Sequence, residues 1–145
     1  MAIQIVVGSL VSLINIMVHA LITVAAIGIA RSAGLRTSSW PKLDLMAVMG
    51  GTAAVLMAAH IFEVLVWSVV YWALGVVPDN AGLVYFAFVN YTTLGYGDVT
   101  PVKAWRLLGP ITAMNGVLMF GWSTAVLFEV LLKTVERYSP PPPSS

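Results

Sequence analysis

The chain of 145 residues has no cysteine, so disulfides, thiolate nucleophiles and zinc-thiolate sites are all excluded. Charge is nearly as scarce: Asp, Glu, Lys and Arg make up 9% of the residues, against roughly 25% in soluble domains. A net charge of +1 offers no basic field to a nucleic acid. The two histidines, His19 and His60, form no metal-ligand spacing, and there is neither a Ser/His/Asp grouping nor a phosphate-cradling glycine loop. With no catalytic constellation, the sequence predicts neither an enzyme nor a cofactor and implies no small-molecule substrate. What it has instead is hydrophobicity: 59% of its residues and a mean hydropathy of +0.92, the composition of an integral membrane protein in a lipid bilayer.

Three apolar segments, residues 3–30, 45–74 and 107–132, exceed the roughly 20 residues that span a bilayer. Backbone groups find no water in lipid, so each segment is predicted to be an α-helix. The first lacks the basic start of a signal peptide, is too long for one, and is followed by Arg31 and Arg36, so it reads as a retained helix. Arg31, Arg36 and Lys42 lie between the first two helices and Lys133 and Arg137 follow the third, against Lys103 and Arg106 on the other side. That bias places the 31–44 loop and the carboxyl tail in the cytoplasm, and the amino terminus and residues 75–106 outside.

The outer segment is too long for a turn and too apolar for water. Pro78, Asp79, Asn80 and Gly82 are helix-start chemistry, and residues 83–91 then carry Tyr85, Phe86, Phe88 and Tyr91. A helix this short cannot span, so it is predicted to be re-entrant, with the negative end of its dipole toward the membrane centre. Thr92 to Asp98 follow, reading Thr-Thr-Leu-Gly-Tyr-Gly-Asp. Two glycines flanking an aromatic admit φ angles closed to other residues, so that successive carbonyls can face one side. The tail, residues 139–145, is Ser-Pro-Pro-Pro-Pro-Ser-Ser and is expected to be extended or disordered.

From about Leu45 to Leu132 the pattern of helix, short helix, glycine-rich strand and helix resembles the two-helix pore unit of potassium channels. Thr93, Leu94, Gly95, Tyr96 and Gly97 match its five selectivity-filter positions, with Leu94 where many members carry valine. The resemblance implies that the Thr93 hydroxyl and the carbonyls of Thr93 through Tyr96 replace the hydration shell of K+, the only metal ion it implies. It also implies that Thr92, Asp98, Tyr85 and Phe86 support the filter and that Tyr96 packs against pore-helix aromatics. Pro101 and Trp105 agree with the bacterial pattern. Val89 departs from it, standing where some members carry a glutamate partner for the filter aspartate. One pore loop per chain requires four chains to ring an ion, hence a homotetramer. Gly116 lies one residue before a frequent hinge glycine and reads either as a hinge or as a site of close helix packing. By the family register Met114, Leu118, Gly121 and Ala125 face the cavity, and Glu129 either rings the inner mouth or is a solvated interfacial carboxylate.

Ionisable groups inside a membrane are functional candidates by default. Asn15 and His19 share a face of the first helix and His60 and Glu63 one of the second, at similar depth, and Asn115 lies near the depth of Glu63. These five predict a polar seam, either structural or proton-sensing. The expected fold is therefore an all-α membrane protein with three spanning helices, a pore helix and an extended filter. It divides into an amino-terminal helix and loop (1–44), a pore domain (45–132) and a tail (133–145). The expected function is passive K+ conduction across the plasma membrane. A weakly selective cation channel and a non-conducting regulatory subunit are the alternatives.

Overall fold

The computed structural model describes residues 1–33, 40–78 and 82–138; Arg36, Asp79, Asn80 and the proline-rich tail lie outside them. The elements are α1 (Ala2–Ala33), α2 (Pro41–Leu74), α3 (Leu83–Tyr91), a 3-10 turn (Lys103–Trp105) and α4 (Leu108–Tyr138). Three of these helices are long and apolar enough to cross a membrane. The first two run a few residues into the predicted 31–44 loop and α4 continues past 132, so the helices overshoot the hydrocarbon-length segments at their polar ends.

Local chemistry accounts for the ends of α2. Pro41 occupies the first turn, where its missing N–H costs nothing. At the other end Gly75 takes a left-handed φ of 60°, letting its own N–H and that of Val76 reach the carbonyls of Trp72 and Tyr71. Gly82, with φ 67°, precedes α3 and contributes no side-chain cap.

The loop that carries α3 is closed at its base. The N–H of Val102 donates to the carbonyl of Val76 at 2.9 Å, so the chain enters and leaves the loop at one point. At the same end Gln4 of α1 accepts from the N–H of Leu107, tying the start of α1 to the start of α4. One core cluster joins Val11 of α1, Trp67 and Tyr71 of α2, Phe86 and Tyr91 of α3, and Leu108 and Met119 of α4. A second, smaller cluster of Leu56, Val126 and Val130 closes the opposite end. The large apolar side chains left uncovered, among them Leu13, Met17 and Leu21 of α1, match a hydrocarbon solvent.

Candidate functional site

The last turn of α3 hands its free carbonyls to the segment that follows. Thr92 N–H donates to Phe88, Thr93 N–H to Asn90, and the N–H groups of Leu94 and Gly95 both to Val89, at 2.9 to 3.3 Å. Four successive donors thus turn toward the helix end. Positive φ recurs at every second residue, 61° at Thr93, 60° at Gly95 and 79° at Gly97. Alternating hand aligns successive peptide units, with N–H groups on one side and carbonyls on the other. Thr93 is the non-glycine member of this series, which the glycine pattern alone did not reveal.

Supporting contacts differ in part from expectation. Asp98 accepts from Tyr85 Oη at 2.7 Å and from the N–H of Val99 at 3.1 Å, so its side-chain partner is a tyrosine of α3. Thr92 Oγ1 donates back to the carbonyl of Phe88, and Phe86 is buried against Tyr71. Tyr96 is 67% exposed, so its expected packing against pore-helix aromatics is not supplied by its own chain. Trp105 packs on the core cluster behind the segment.

On α4, Gly116 is buried where an added Cβ would collide with the carbonyl oxygen of Tyr91, so here the glycine permits close approach of α4 to the end of α3. Gly121 has open space around it. Met114, Leu118, Gly121 and Ala125 all lie on an exposed face, and the last three line an open groove of about 700 Å³ with Ile27 of α1. Glu129 pairs with Lys133 at 2.5 Å, both about half exposed, the arrangement of a solvated surface pair.

The five polar seam residues come together, with three partners that sequence reasoning missed. Asn115 Oδ1 accepts from Asn15 Nδ2 at 3.1 Å and from Trp67 Nε1 at 3.0 Å. Glu63, fully buried, lies with Oε1 at 2.7 Å from His19 Nδ1, and its Oε2 accepts from the Tyr91 hydroxyl. His60 places Nδ1 at 3.0 Å from that same hydroxyl and Nε2 at 2.9 Å from Ser123 Oγ, which lies 3.2 Å from His19 Nε2. Donor atoms of His19, His60 and Glu63 all fall within 4.8 Å of one another, although 41 residues of sequence separate the two histidines. Tyr91 was legible only as a pore-helix aromatic, and Ser123 carried no signal.

Comparison with the curated proteins gave no match, and comparison with solved structures gave none either. The family model described as "Ion channel" does match, over residues 59–133, which run from late α2 through α3 and its trailing segment to most of α4. That match covers just over half of the chain, including the Thr93–Gly97 segment and every seam residue except Asn15 and His19 of α1, and the chain belongs to the ion channel family.

Proposed function

We propose that this ion channel subunit assembles as a homotetramer that conducts K+ selectively across the plasma membrane, with residues Thr93 to Gly97 as its filter. The observation that carries the reading is the backbone of that segment. Four consecutive N–H groups are committed to the carbonyl end of α3, and φ is positive at alternate residues, which frees successive carbonyls to face the opposite way. A single strand of carbonyls cannot surround an ion; four copies about an axis can. The exposed face of α4 bearing Met114 and Leu118 then lines the cavity, and the exposed Tyr96 rings meet neighbouring subunits. The loop charges orient the filter and the amino terminus outward and the carboxyl tail toward the cytoplasm.

Purified protein in liposomes tests the reading. With K+ opposed to Na+ across the bilayer, the reversal potential should move close to the K+ equilibrium value. A reversal near zero identifies a weakly selective cation channel, and absence of flux identifies a non-conducting subunit; either rejects K+ selectivity.

A further inference from the structure

The side chains of His19, Glu63, Tyr91, His60 and Ser123 touch in a closed cycle: His19 to Glu63, Glu63 to Tyr91, Tyr91 to His60, His60 to Ser123, and Ser123 back to His19. The cycle draws one member or more from each of the four helices, and every member is buried. Such a cycle has a hydrogen inventory. Five contacts need five hydrogens, one in each. The tyrosine and serine hydroxyls supply one apiece and two neutral imidazoles one apiece, while an ionised carboxylate supplies none. The total is four, one short.

We infer that the five residues form a binding site for a single proton, which completes the cycle. With it bound, every contact closes. In one arrangement Glu63 is a carboxylate, His19 donates from Nδ1 to Glu63 and from Nε2 to Ser123, Ser123 donates to His60 Nε2, His60 Nδ1 to Tyr91, and Tyr91 to Glu63. In another the carboxyl holds the proton and both rings are neutral, one protonated on Nδ1 and the other on Nε2. Moving the proton within the cycle changes no contact partner. Removing it leaves one contact without a hydrogen: two bare ring nitrogens facing the one Ser123 hydroxyl, a bare nitrogen 2.7 Å from a carboxylate oxygen, or the single Tyr91 hydrogen shared between Glu63 and a bare His60 Nδ1.

Charge counting reaches the same number independently. With the extra proton the cycle is neutral overall; without it a net negative charge sits among buried groups in a membrane-spanning bundle, where an unpaired charge is costly. Among the described residues the groups facing the cycle supply no compensation. His19 comes from α1, His60 and Glu63 from α2, Tyr91 from α3 and Ser123 from α4; the added neighbours are the uncharged rings of Trp122 and Phe120. Among the described residues the ion-pair partners of Glu63 are the two histidines alone. Each ring nitrogen and carboxylate oxygen is already engaged within the cycle, which suits a proton better than a larger cation.

The site does not rest on K+ selectivity, and its test does not measure conduction. His19 and His60 are the chain's two histidines, so nitrogen-15 NMR of the assembled protein in liposomes, purified on a tag without histidine, reads both rings directly. Carbon-13 of the Glu63 carboxyl, identified by its loss in Glu63→Gln, completes the count. At pH 7.5 the two rings and the carboxyl should carry three hydrogens: an imidazolium beside a ring protonated on Nδ1, or a carboxylic acid beside rings of opposite tautomer. A count of two overturns the proposal. Glu63→Gln contributes the fifth hydrogen from its own amide, so it should show two neutral rings of opposite tautomer, unchanged between pH 6 and 9. An imidazolium in that variant at pH 7.5 also overturns it. Should the variant fail to assemble, the wild-type count decides alone.

Discussion

Tyr85 donates its hydroxyl hydrogen to Oδ2 of Asp98 at 2.7 Å, tying the first turn of α3 to the far end of the Thr93–Gly97 segment. The resemblance directs attention to position 89 for a partner of that aspartate, and Val89 there is buried and apolar. The tie is instead made one helical turn nearer the start of α3, by a group that donates without carrying charge.

This pair predicts a response to alkali. Accepting its hydrogen bond, the Asp98 carboxylate raises the Tyr85 phenol above its ordinary value of about 10. The bonded form is the neutral phenol, so its contribution is present below that ordinary value and is lost as pH climbs through the higher folded one. Raising external pH through this range should hasten the decay of wild-type current. Tyr85→Phe should decay faster than wild type at neutral pH and show no further change in the alkaline range; an unaltered alkaline response would assign it to another group.

Gly116 and Gly121 should respond differently to alanine. A methyl group at 116 meets the backbone of Tyr91, which cannot swing aside, and a cost of about 3 kcal/mol at the upper end of overpacking is expected. At 121 the space is open, so Gly121→Ala should leave stability near wild type. Thermal unfolding of both variants in one detergent checks the contrast, and equal melting points would remove the close-approach role of Gly116.

Gly95 and Gly97 hold left-handed φ angles with almost nothing around them, the nearest atom to an added Cβ at Gly95 being the Thr93 carbonyl oxygen at 4.0 Å. Alanine there should cost about 1 to 2 kcal/mol per position through backbone conformation, with no crowding. Because that strain falls on the proposed filter and not on the helices, Gly95→Ala should assemble normally yet lose selectivity. Bi-ionic recording beside a sizing column reads both. Selective current from the variant would reassign the filter.

The proposed orientation, amino terminus outside and carboxyl terminus inside, rests on an odd number of crossings and the loop charges. An impermeant label on intact cells should reach a tag placed before Met1 and miss one placed after Ser145. The reverse pattern would turn the filter inward.

Much of this architecture is readable along the chain. The short helix spans Leu83–Tyr91 in the structure and in the sequence reading alike, since aromatic density marks its body and the Thr-Thr-Leu-Gly-Tyr-Gly run marks its end. Residue counts from the helix ends put Asn15 and His60 at about one depth and His19 and Glu63 within about a turn of it, because an α-helix advances a constant 1.5 Å per residue. Depth is a property of one helix; azimuth is not. Whether Glu63 meets Asn115 or His19 depends on how far each helix is rotated about its own axis, about 100° per residue, and interlocking side chains decide that rotation. So Asn115 went to Asn15 and Trp67, Ser123 came to bridge two histidines 41 residues apart, and Gly116 let the inner helix close on Tyr91. Spacing along the chain determined which residues could share a level in the membrane. Packing of four helices decided which of them touch, because contact across helices depends on rotations that no single helix encodes.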